Sequence, residues 1–255
     1  MKELLSLEFR KLSKQKSLYI CLAIMLGLIL LSAVAYKIIL VSAVDMGDFA
    51  DIMLDLNATK FTLMTISNAN FLIIMGIVIA ISYCYDFEEQ TVKNIFARGY
   101  SRKSFYFAKM CSVLCSTAFL FIISFAFSFI MGAIFFGVGS DNILSMLGLI
   151  GLQLLACIAY SMAFLLVCTL FKKKASAIAI NIVFPLILTV VLTLIDSIIN
   201  AENFKIANYW LDGMITATST LSADTTVVLI TLIGSIVYCG IFTLLGMFVS
   251  KKIEV

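Results

Sequence analysis

Six long stretches of apolar residues constrain this chain more than any other feature of its sequence. A helix needs roughly 20 predominantly apolar residues to cross about 30 Å of hydrocarbon. Six segments meet that requirement, and they run approximately over Leu18–Leu40, Phe61–Tyr85, Phe105–Val138, Asn142–Phe171, Ala175–Ile199 and Thr225–Val249. Only 13% of the 255 residues are charged, against about 25% in soluble domains. The sequence therefore predicts a single all-α polytopic membrane domain over residues 1–255.

The distribution of basic residues predicts the orientation of these spans. All but three of the 18 Lys and Arg residues lie in the segments Met1–Ser17, Asp86–Lys109, Phe171–Lys174 and Ser250–Val255. The exceptions are Lys37, Lys60 and Lys205. Basic residues collect on the cytoplasmic side of a membrane, and an even number of spans returns both termini to the same side. We therefore predict a multi-pass membrane protein with cytoplasmic N- and C-termini.

This orientation predicts which positions an impermeant thiol reagent can reach in intact cells. In a background without the seven native cysteines, a cysteine replacing Asp51 should react and a cysteine replacing Lys93 should stay protected. The reason is that the first position lies in a predicted external segment and the second in a cytoplasmic one. Both must react in permeabilised cells, which serve as the control. Labelling of Lys93→Cys in intact cells would reverse the orientation.

Several residue types that support chemistry are absent from the sequence. There is no histidine, the commonest metal ligand and general base. There is also no GxxxxGK[ST] motif of the kind that binds ATP phosphates. We therefore expect no catalytic site, no metal site and no cofactor in this chain, and no nucleic-acid partner. The span interiors almost lack ionisable residues, which ion-coupled carriers usually keep at mid-membrane.

Two segments outside the spans have the pattern of surface helices. In the basic segment 1–17, Leu5, Phe9 and Leu12 follow helical spacing, which predicts an amphipathic helix on the inner membrane surface. A solvated basic tail is the alternative. The segment Asn203–Ala223 is too polar to span but contains aromatic residues, which favour interfacial depth. We expect a short external interfacial or re-entrant helix there, before the last span.

The segment between the second and third spans, residues 86–104, carries the most informative pattern. Its acidic residues precede its basic residues, an order that complements a helix dipole, and Glu89 and Lys93 have the spacing of an i, i+4 ion pair. Gly99 is a predicted helix stop and Ser101 a predicted cap for the next helix. One apolar face of this short helix contains Val92, Ile95 and Phe96. Such a face needs a membrane surface or a partner protein, and periodicity alone leaves both open.

The same segment resembles the cytoplasmic loop of short ABC-2 type permeases. In that family an acidic start, a threonine, a basic residue and a Gly-x-Ser-Arg turn precede the third span. The corresponding residues here are Asp86, Glu88, Glu89, Thr91, Lys93, Asn94, Gly99, Ser101, Arg102 and Lys109. The opening residues Glu8–Leu12 also resemble the amphipathic lead-in of the family. The chain is most similar to bacterial permeases for bacteriocin immunity or for export of amphipathic peptides such as phenol-soluble modulins.

The resemblance implies the permease subunit of an ATP-binding cassette exporter in the bacterial cytoplasmic membrane. Its implied substrate is amphipathic or hydrophobic, in particular a peptide. The resemblance also implies two permease copies, identical or paralogous, and two cytoplasmic ATPase subunits that bind ATP and Mg. Residues 86–104 would contain the coupling helix. Its implied ATPase contacts are Asp86, Glu88, Glu89, Thr91, Val92, Lys93, Asn94, Ile95 and Phe96. On the second and fifth spans, the candidates for the substrate path are Thr65, Asn68, Asn181 and Thr189.

Three other functions compete with this interpretation. Glu88 and Glu89 resemble the paired glutamates of CAAX-type membrane proteases, but those enzymes also need histidines. A secondary transporter is opposed by the lack of ionisable residues within the spans. A membrane sensor or assembly factor that transports nothing is compatible with the sequence. An ABC ATPase as partner would separate the permease from all three.

Overall fold

The structure is a computed structural model that describes residues 2–43, 56–139, 143–199, 205–221 and 224–251. These residues form ten α-helices and one 3₁₀ helix. The α-helices are α1 (Lys2–Lys14), α2 (Lys16–Ala43), α3 (Ala58–Ile66), α4 (Ala69–Glu88), α5 (Thr91–Ala97), α6 (Arg102–Phe136), α7 (Ile143–Phe171), α8 (Lys174–Ile199), α9 (Leu211–Ala217) and α10 (Thr225–Ser250). Six of them, α2, α4, α6, α7, α8 and α10, are long and apolar enough to cross a membrane. The predicted all-α fold with six membrane-spanning helices is confirmed.

The helix ends that carry most of the basic residues meet at one end of the bundle. The backbone N–H of Lys174, which begins α8, donates to Glu88 Oε1 at the end of α4 (3.0 Å). The Arg102 guanidinium, at the start of α6, donates to the backbone oxygen of Lys251 after α10 (2.7 Å). Helix α1 packs on the first turns of α6. We call this end, formed by α1, α5, the α7–α8 turn and the last turn of α10, the basic end.

Other helix ends meet at the opposite end of the bundle. The backbone N–H of Ala58, which begins α3, donates to the backbone oxygen of Gly137 after α6 (2.9 Å). In the last turn of α8, the Asp196 carboxylate accepts from the backbone N–H groups of Ile206 (2.7 Å) and Ala207 (2.9 Å). The long helices therefore run from one end to the other in alternating directions.

Helices α4 and α7 form the centre of the bundle. Within their most apolar windows, 61% of the residues in α4 and 67% in α7 are buried, compared with 11% in α8 and in α10. Helix α10 packs along α7, and α8 packs against α4. The outer faces of α2, α8 and α10 expose large apolar side chains, as helices in contact with lipid do.

The second predicted span, Phe61–Tyr85, is two helices rather than one. Helix α3 ends at Ile66, and the Asn68 side chain accepts from the backbone N–H of Asn70 (3.2 Å) to cap α4. The Ser67 hydroxyl donates to the backbone oxygen of Leu63 (3.0 Å). Such side-chain bonds compete with the helix ladder, so the Ser-Asn pair ends one helix and starts the next. The nine residues of α3 are too few to cross a bilayer.

The polar segment before the last span folds onto the bundle. It contains the 3₁₀ helix Ile206–Tyr209 and α9, and Leu211, Met214 and Ile215 are buried. The Trp210 indole N–H donates to the Tyr160 hydroxyl (3.1 Å). Trp210 of this segment thus packs on α7 and α8 within the protein, whereas Tyr209 is exposed.

Candidate functional site

Helix α5 occupies the connection between two spans at the basic end. Helix α4 ends at Glu88, and Gln90 then adopts a left-handed backbone conformation (φ 52°) that redirects the chain into α5. Gly99 has φ 85° after the last turn of α5, and the Ser101 hydroxyl accepts from the backbone N–H of Ser104 (3.2 Å) to cap α6. The predicted helix stop and cap are confirmed. Because two sharp turns flank it, α5 is a separate helix and not an extension of α4.

The apolar face of α5 is turned into the protein. Val92 is 2% exposed and Ile95 8%, and both belong to an apolar cluster with Leu4 of α1 and Phe105 and Ala108 of α6. The ring of Phe96 meets the ring of Phe105 edge-on, with 5.7 Å between centroids. Val92 and Ile95 are thus covered by their own chain and Phe96 is half-buried, so these three predicted contacts do not form an open surface in this structure. They fix α5 to its own chain, as apolar burial requires.

Helix α1 also differs from the prediction in the face that it buries. The sequence pattern selects Leu5, Phe9 and Leu12, but the structure buries Leu4 and Glu8, and Phe9 is exposed. Helix α1 therefore has one side against α6 and an outward side with exposed apolar and basic residues. Periodicity misses this arrangement because a buried carboxylate takes a position on the inner face.

That carboxylate belongs to a cluster of four charged residues that joins α1, α4 and α6. Lys109 lies in α6 and is 3% exposed; its ammonium contacts Glu8 Oε2 (2.8 Å) and the Asp86 carboxylate. Lys11 of α1 contacts Asp86 Oδ1 (2.7 Å). Two acids and two bases thus neutralise one another. Buried charges require such pairing, because an uncompensated charge is costly away from water.

The buried position of Asp86 gives it a role within the chain. Its carboxylate accepts from the Thr91 hydroxyl in the first turn of α5 (2.9 Å), and its backbone oxygen accepts from the same hydroxyl (3.2 Å). Two predicted partner contacts, Asp86 and Thr91, therefore hold the α4–α5 turn. Glu88 has a comparable role, because its carboxylate contacts the Lys174 ammonium (2.8 Å) at the start of α8.

The outward side of α5 is the surface that a partner can reach. Lys93 and Asn94 of α5 are exposed there, and so are the flanking residues Glu89, Gln90 and Arg98. Glu89 precedes the left-handed turn and Lys93 follows it, so the two do not share one helix as predicted. This polar surface adjoins α1 through Tyr100, whose hydroxyl donates to Glu3 (3.1 Å). That hydrogen bond to a carboxylate raises the pKa of Tyr100.

Comparison with known proteins identifies the family of the chain. Residues 4–196 match the family described as ABC-2 family transporter protein. The chain belongs to the ABC-2 transporter family. The match runs from α1 into α8 and so includes the charged cluster and α5. A comparison with curated proteins finds no match.

Membership of the ABC-2 family fixes the broad role of the chain. Proteins of this family are membrane subunits of ABC transporters, and they operate with an ABC ATPase. The chain is therefore a multi-pass membrane subunit of a transporter. The segment on which the resemblance to permeases rests lies at the basic end, where α5 connects two spans.

The four residues predicted for a substrate path do not come together in this ABC-2 subunit. Thr65 and Asn68 line a small recess of about 40 Å³ beside α2. The Thr189 hydroxyl donates to Asp212 Oδ2 (2.8 Å) in a separate recess of about 160 Å³. Asn181 is fully buried and donates to the backbone oxygen of Gly76 (3.0 Å). Asn181 therefore joins α8 to α4 and does not line an open path in this structure.

The charged cluster contains the residues that sequence reasoning missed. Glu8, Lys11 and Lys109 were not predicted as a site, although each departs from the pattern around it. Glu8 interrupts the apolar face of α1, and Lys109 lies seven residues inside the first residue of an apolar helix. An acid and a base in such positions need partners, and this is the signal from which the cluster could have been inferred.

Proposed function

We propose that this chain is the permease subunit of an ABC exporter and that α5 is its coupling helix. The observation that carries the proposal is the two-sided environment of α5. Its apolar side is buried against α1 and α6, and its polar side is exposed at the basic end. A helix held in this way can receive a force from outside and pass it to spans inside the membrane.

The contacts of α5 suggest how a movement would reach the spans. Thr91 is bonded to Asp86 at the end of α4, and Ile95 packs against Phe105 in the first turn of α6. Closely packed interiors move as units because they are not continuously deformable. ATP-driven closure of the ATPase subunits would therefore shift the inner ends of α4 and α6 together with α5. Two permease copies and two ATPase subunits would form the complete exporter.

The surface offered to the ATPase is narrower than the sequence predicts. Of the nine residues predicted as contacts, Glu89, Lys93 and Asn94 keep exposed side chains without a bonded role inside the described chain. Gln90 and Arg98 extend this surface on either side. We propose these five residues as the ATPase contact.

The direct test is charge reversal on this surface. Lys93→Glu should reduce recovery of the cognate ABC ATPase about tenfold in co-purification, because a like charge at an interface costs more than 1 kcal/mol and each 1.4 kcal/mol is a factor of ten. Lys205→Glu is the matched control, since it makes the same change at an exposed position on the opposite end. Equal recovery of the ATPase with both variants would remove α5 from the interface.

The proposed cargo is an amphipathic or hydrophobic molecule, in particular a peptide. The support is compositional: the chain contains 21 phenylalanines, and the spans offer apolar surface on which an amphipathic helix could rest. The resemblance to exporters of amphipathic peptides points in the same direction. The decisive measurement is stimulation of ATP hydrolysis in the reconstituted complex by an amphipathic peptide, with a scrambled peptide of the same composition as control.

A further inference from the structure

A cavity lies between α1 and the bundle at the basic end. It has a volume of about 680 Å³ and opens between α1, the last turns of α4 and the first turns of α6. This volume lies within the usual range for small-molecule sites, about 300–1,000 Å³. The charged cluster forms one wall, because Glu8, Lys11, Asp86 and Lys109 all line the cavity.

The cavity has an excess of positive charge that the chain does not neutralise. Three of its cations are paired with carboxylates, namely Lys11, Lys109 and Lys174. Three others, Arg10, Lys14 and Lys16, have no carboxylate within 4.0 Å among the residues that the structure describes. All three side chains are exposed at the rim. An anion that enters the cavity therefore meets three free cations.

Besides the charged cluster and several polar side chains, the lining has an apolar part. Leu7 and Leu12 of α1, Ile81 of α4 and Val113 of α6 contribute to the lining. A free inorganic anion gains nothing from such walls, whereas a molecule with an anionic head and a hydrocarbon tail gains from both parts. The combination selects a lipid over a soluble ion.

The depth of the cavity fits the headgroup region of a bilayer. Helix α1 ends at Lys14, and the first spanning helix begins at Lys16. The cavity therefore lies where the chain passes from a surface helix into the membrane. Basic residues next to a span attract anionic headgroups.

We propose that this cavity binds an anionic phospholipid. The phosphate lies among Arg10, Lys14 and Lys16, and the first part of an acyl chain lies against Leu12 and Val113. Bound lipid fills the space between α1 and the bundle and so helps to hold α1 against α4 and α6. This inference does not depend on the transport role, because it uses only the cavity, its charge and its depth.

The test measures lipid binding to the purified full-length chain by native mass spectrometry. Phosphatidylglycerol should bind at least about tenfold more tightly than phosphatidylcholine with the same acyl chains, since each nearby basic residue contributes about 1 kcal/mol to anionic lipid attraction. The triple variant Arg10→Gln, Lys14→Gln, Lys16→Gln should lose this preference. The matched control neutralises three exposed cations of the same end outside the cavity: Lys93→Gln, Arg98→Gln, Lys103→Gln.

The outcomes separate a built site from general surface charge. Loss of the preference in the first triple variant alone supports the proposal. Equal loss in both triple variants, or equal binding of the two lipids to the wild-type chain, would overturn it. Displacement of bound phosphatidylglycerol by millimolar inorganic phosphate would also overturn it, because the ligand would then be a free anion. Thermal unfolding of each variant verifies that the chain is folded.

Discussion

Replacing Lys109 by methionine should lower the stability of this protein more than any surface change at the basic end. The substitution leaves Glu8 and Asp86 buried with Lys11 as their remaining cation. Removing one member of a buried ion pair costs about 3–5 kcal/mol. A loss of this size corresponds to roughly 10 °C in Tm for a chain of this length. Thermal unfolding of the purified chain in detergent measures it.

Two further variants test whether charge balance is the cause. Glu8→Gln combined with Lys109→Met removes one acid together with the base, so Asp86 remains paired with Lys11. The double variant should therefore have a much smaller decrease in Tm than Lys109→Met alone. Glu88→Gln breaks an ion pair whose acid is 42% exposed, and such pairs contribute about 0–1 kcal/mol. If Lys109→Met and Glu88→Gln lower Tm equally, the buried cluster contributes no more than a surface pair.

The sequence predicts the membrane architecture because lipid imposes strict requirements on a chain. A span must satisfy its backbone hydrogen bonds internally and must be long and apolar, so composition alone identifies α2, α6 and α10. The break before α4 could not be predicted from hydropathy. It depends on two short polar side chains, Ser67 and Asn68, that bond to nearby backbone atoms.

The sequence predicts a short helix within residues 86–104 but not which of its faces is buried. Periodicity shows that Val92, Ile95 and Phe96 share a face, and it contains no information about what covers that face. The cover comes from Leu4 and Phe105, and Leu4 lies about ninety residues away along the chain. The same limitation applies to Asp86, whose partners Lys11 and Lys109 belong to other helices. Contacts between residues so far apart in the chain depend on how the helices pack, and sequence periodicity does not show this.

Two neighbouring residues of α5 provide the sharpest test of its orientation. Val92 is 2% exposed inside the apolar cluster, whereas the Lys93 side chain is exposed. Val92→Glu removes an apolar side chain worth about 1.5–3 kcal/mol and places a carboxylate without a partner among Leu4, Ile95 and Phe105, which adds a further cost. We expect a fall in Tm of about 10 °C and poor recovery from the membrane.

Lys93→Glu should leave Tm within about 2 °C of the wild type, since exposed substitutions usually change stability by less than 0.5 kcal/mol. It should nevertheless reduce recovery of the ATPase. The two variants therefore separate stability from partner binding at adjacent positions of one helix. Val92 attaches α5 to the bundle, and Lys93 contacts the partner. The opposite result would be a wild-type Tm for Val92→Glu and a lowered Tm for Lys93→Glu. In that case α5 would be rotated relative to this structure, with its apolar face outward and available for docking.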